Sequence, residues 1–81
     1  MTDEELYEQL NEVFRDVFDD EEITVTATTT AKDIEDWDSL EHINLINAVE
    51  QKFGVKFSIG QIVEMKNVGD LARLVREKTA K

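Results

Sequence analysis

Four apolar stripes at helical spacing follow one another along this chain, each preceded by a side chain able to cap a helix. In the first, Leu6, Leu10, Val13, Phe14, Val17 and Phe18 recur at the interval that lines one face of an α-helix. Thr2 and Glu5 stand ahead of it in capping-box spacing. The second stripe runs from about Ser39 to Lys52, with Ile43, Ile46, Val49 and Phe53 as the expected buried face and Leu45 beside them. Asp38 and Glu41 repeat the capping offset, with Asp as the cap, and Gly54 follows where a left-handed residue most easily ends a helix. Ser58 and Gln61 open a short third segment that reaches about Val63 or Met65. Asn67 and Asp70 open the fourth, whose stripe is Val68, Leu71, Leu74 and Val75.

The expected fold is therefore all-α: one domain over residues 1–81, a four-helix bundle of three longer helices and a short third. A long loop, from about Asp19 to Asp38, joins helices one and two. Within it, Thr24-Val25-Thr26-Ala27 alternates as a strand would, but no second strand is evident to pair its backbone. The segment reads as an ordered loop pinned to the core by Ile23, Val25, Ile34 and Trp37. Trp37 is the expected anchor, its indole N–H reaching a carbonyl or water. Phe57 and Met65 read as core residues.

Charge narrows the range of partners. The chain carries 19 acidic and 9 basic residues, a formal charge of −10. Residues 1–51 hold 16 acids and 2 bases, and residues 52–81 hold 3 acids and 7 bases. Such an acidic front repels the phosphates of nucleic acid and suits partners with basic patches. With no cysteine, the chain offers neither a disulfide nor a thiol nucleophile of its own. Met1 to Glu5 is acidic without an apolar run, so no signal peptide is expected, and no stretch has the length of a membrane span. A cytoplasmic monomer with no membrane partner is the expectation.

Chemistry concentrates at Ser39. If Asp38 caps the second helix, Ser39 takes its first position and its hydroxyl projects outward, beside amide N–H groups that lack intrahelical partners. A phosphate ester on that oxygen would be well placed. A hydrolase built from Ser39, His42 and Asp38 lacks both an independent orienting group and an oxyanion turn, so no catalytic residue is assigned. His42 is expected to face solvent or a partner. The acidic clusters Asp16, Asp19, Asp20, Glu21, Glu22 and Asp33, Glu35, Asp36, Asp38 lack the calcium-loop pattern, and no metal site is assigned.

Asp38-Ser39-Leu40 at the start of helix two, with Ile43, Ile46, Val49-Glu50 and Phe53 in register behind it, resembles the acyl carrier protein family. The likeness extends from about Leu6 to Val75 and includes the long first loop and the short third helix. It implies 4′-phosphopantetheine attached to Ser39, transferred from coenzyme A by a phosphopantetheinyl transferase. It also implies that Asp38 helps position the metal of that transferase complex. Leu40 would be an exposed apolar contact for acyl-loading and acyl-processing enzymes. A carrier of this kind holds its cargo on a thiol that comes with the prosthetic group, and is not itself an enzyme. Asp36-Trp37 stands where many carriers of fatty acid synthesis have a small pair, and helix two shows His42, Asn44 and Asn47 in place of acids. These departures resemble free-standing carriers of specialised, polyketide-like pathways. Two alternatives stay open: an aminoacyl or peptidyl carrier, including the D-alanyl type, and an unmodified helical interaction module.

Overall fold

The computed structural model describes residues 2–34 and 37–79. Four helices make up the secondary structure of these residues: α1 Asp3–Phe18, α2 Ser39–Phe53, α3 Ile59–Glu64 and α4 Val68–Thr79. Each begins where a cap was expected. Thr2 Oγ1 accepts from the Glu5 N–H (3.2 Å), Asp38 Oδ1 from the Glu41 N–H (2.9 Å) and Asn67 Oδ1 from the Asp70 N–H (2.8 Å). At α3 the box is reciprocal. Gln61 N–H donates to Ser58 Oγ (3.2 Å) and Ser58 N–H donates to Gln61 Oε1 (3.0 Å). Gly54 ends α2 in the left-handed region, φ 66°, as its position predicted. Asp19 ends α1 the same way, at φ 50°.

The core lies between α1, α2 and α4. Leu6, Leu10 and Phe14 meet Leu45, Ile46, Val49, Val68, Leu71 and Val75, all essentially inaccessible to solvent. Val25 from the loop and Phe57 from the α2–α3 link complete it, while α3 buries no residue fully. One expected core position is wrong: Ile43 is 56% exposed. At about 100° per residue, Leu45, Ile46 and Val49 define a face onto which His42 and Phe53 also fall, and Ile43 sits about a quarter turn away. It shares the outer stripe with Leu40 and Asn47 instead.

The described residues of the long connection form an ordered loop. Val25 is buried, and Ile23, Ile34 and Trp37 pack against the core. Polar ties supplement these contacts. Val25 N–H donates to Asn11 Oδ1 (2.6 Å), Asn11 Nδ2 donates to the Tyr7 carbonyl (2.7 Å), and Arg15 Nε donates to the Ile23 carbonyl (2.7 Å). At the far side, Val68 and Gly69 give their N–H groups to the carbonyls of Thr29 (2.8 Å) and Ala27 (3.0 Å). These amides open α4 and have no partner within the helix, so the loop backbone supplies one. The approach is close enough that a Cβ on Gly69 would lie 2.7 Å from the Ala27 oxygen. None of the described helices is long and apolar enough to cross a membrane.

Candidate prosthetic-group site at the start of helix two

Ser39 is exposed and occupies the first residue of α2. The Asp38 carboxylate performs the capping, so the serine hydroxyl is not spent on a backbone N–H. This is the arrangement expected from the sequence, and it leaves an oxygen at the positive end of a helix dipole. Beside it, Leu40 is 66% exposed. The Glu41 carboxylate accepts from Asn44 Nδ2 at 3.1 Å. Glu35 and Asp36, two of the three acids of the cluster that precede the motif, lie outside the described residues.

A cavity of about 380 Å³ opens next to the serine, between the end of the loop, α2 and α3. Trp37, Ser39, His42, Ile62, Met65 and Leu71 contribute to its wall. Trp37 is the anchor it was expected to be: its ring meets Phe14 edge-on, centroids 5.3 Å apart and planes at 78°. The partner of its indole N–H is different, however. That group donates to His42 Nδ1 at 3.1 Å rather than to a carbonyl or water. His42 is correspondingly half-buried and does not face solvent, its Nε2 lying 3.3 Å from the Ile62 carbonyl. The signal for this was present in the sequence, since His42, Leu45 and Val49 have core spacing. A polar residue type masked it. Met65 both packs against the core and lines the cavity, and Phe57 is buried.

An exposed hydroxyl at a helix entry, backed by a partly apolar cavity and framed by apolar side chains that face outward, defines a carrier domain. The imidazole that borders the cavity is tied to Trp37 and Ile62. The comparisons agree with that class. Residues 8–75 match the family model described as the phosphopantetheine attachment site. Acyl carrier proteins of Petrotoga mobilis and Coprothermobacter proteolyticus are 36% and 29% identical, over 96% and 93% of this chain and 92% of each relative. A solution NMR structure of the holo acyl carrier protein from Geobacter metallireducens superposes with a TM-score of 0.88. It shares 48% identity over 93% of this chain and 86% of that one.

The chain belongs to the phosphopantetheine-attachment family and is an acyl carrier protein. As such it is a carrier and not a catalyst, its prosthetic group is 4′-phosphopantetheine, and it interacts with modifying and biosynthetic enzymes. The relatives carry the acyl-carrier name, which favours that reading over an aminoacyl or peptidyl carrier. The residues present suit the group: the hydroxyl at the α2 entry can bear a phosphate where unpartnered amides and the helix dipole favour negative charge.

Proposed function

We propose that Ser39 is the attachment point of 4′-phosphopantetheine and that the chain presents acyl groups from there to the enzymes of a biosynthetic pathway. The observation carrying this reading is the division of labour at the α2 entry, where Asp38 caps the helix and the adjacent Ser39 is exposed, its hydroxyl without a hydrogen bond among the described residues. When bound, the group supplies a terminal thiol on which acyl cargo is held as a thioester. In the transfer, Ser39 Oγ would lose its proton and bond to the pantetheine-side phosphorus of coenzyme A, as the pyrophosphate P–O bond breaks and adenosine 3′,5′-bisphosphate leaves. Asp38 holds the start of the helix and contributes to positioning the transferase metal. Leu40, exposed beside Ser39, is a contact for the transferase and for acyl-loading and acyl-processing enzymes, and Ile43 extends the same apolar stripe.

The acidic front of the chain supports docking on basic patches by a monomer working in the cytoplasm. Such encounters are short-lived, as a shuttle requires. Asn44 and Asn47 on the exposed side of α2, where an acidic face would serve fatty acid synthesis, support a specialised, polyketide-like pathway.

Incubation with coenzyme A and a broad-specificity transferase tests the assignment by whole-protein mass. The native chain is expected to gain one phosphopantetheine, and Ser39→Ala none, with unchanged helix content. Loading of Ser39→Ala at the native rate overturns the proposal.

A further inference from the structure

His42 joins three elements: the end of the long loop, α2 and α3. The Trp37 indole N–H donates to its Nδ1, and its Nε2 lies within reach of the Ile62 carbonyl. The indole and imidazole rings also stack, centroids 5.9 Å apart and planes at 29°. An indole nitrogen can only donate, so Nδ1 must be the accepting nitrogen. The ring proton then sits on Nε2 and is given to Ile62, which selects one tautomer of the neutral imidazole. The receiving carbonyl is near the C-terminal end of a six-residue helix, where it also accepts a long bond from the Met65 N–H (3.4 Å) and keeps a second lone pair for the imidazole. Ile62 packs against the core but no α3 residue is fully buried, so the imidazole adds a polar tie to light apolar packing. Trp37, His42, Ile62 and Ser39 all border the same cavity.

We propose that His42 is a positioning residue for the Ser39 site: as a neutral Nε2–H imidazole it ties the loop to α3 and sets the opening of the cavity beside Ser39. Its effect on cargo rests on Ser39 being the attachment point, whereas the tie itself does not. One side chain thus joins the end of the loop to α3 across the cavity that Ser39 borders.

One tryptophan and one histidine make the test unambiguous, since the indole N–H gives a single resonance. Spectra of the full apo chain at neutral pH are compared for the native protein, His42→Gln and His42→Phe. In the native chain, solvent exchange of the indole N–H should be about fivefold or more slower than that of free indole at the same pH, as one retained hydrogen bond implies. His42→Gln, whose amide can accept from Trp37 and donate to Ile62, should keep the slow exchange. His42→Phe, which keeps a ring without polar atoms, should exchange fast. A native indole that exchanges as fast as free indole, or fast exchange in His42→Gln, overturns the proposal even where His42→Phe fails to fold. Failure of the native chain to load phosphopantetheine would instead count against Ser39 and leave the tie standing.

Discussion

Compare the connection that runs from Asp19 to Asp38 with the helix Ile59–Glu64. The described residues of the connection have no regular structure, yet they are fastened at both sides by Asn11, Arg15 and the first amides of α4, and they bury Val25. The helix has a full capping box, yet buries no residue completely and exposes Ile59 at 80% and Val63 at 75%. Regularity and anchorage are separate properties. Backbone hydrogen bonds make α3 a helix, but ties to other elements decide how firmly a segment is held. A carrier benefits from this partition: the loop delivers Ser39 to a defined place, while the wall opposite remains lightly held.

The largest expected effect comes from breaking the loop's polar anchor. Asn11→Ala leaves the Val25 N–H without its acceptor and should cost about 2–3 kcal/mol. Urea denaturation measures it, and a loss under about 0.5 kcal/mol would mean that apolar packing alone holds the loop. Gly69→Ala comes next, because its new Cβ would collide with the Ala27 oxygen and push the loop from α4. A loss of about 1–3 kcal/mol is expected, seen as a lowered midpoint in thermal unfolding. An unchanged midpoint would show that the loop yields without cost. Smallest is Val63→Ser on α3, expected to change stability by no more than about 0.5 kcal/mol. A drop well beyond that would erase the contrast between the two regions.

Much of this was legible in advance, for reasons local to the chain. Thr2, Asp38, Ser58 and Asn67 cap the helices they precede because a cap needs only the next three residues. The placement of Ser39 followed from the Asp38 cap, and the loop's apolar pins followed from their residue types. Ile43, His42 and the polar anchors did not. Spacing relates residues on one helix face to each other but leaves open which face turns inward when two rows are both partly apolar. Asn11 and Arg15 carry no local mark of a partner that arrives from the loop.

Helix boundaries, the class of fold and the exposed serine are properties the amino-acid order settles, because neighbours within one turn of chain enforce them. Which side of α2 is buried, what the Trp37 indole binds and how the loop closes over α1 and α4 were decided only by assembly. Those outcomes depend on groups far apart in sequence competing for the same interior volume and the same hydrogen-bond partners, and that competition exists only once the helices have packed.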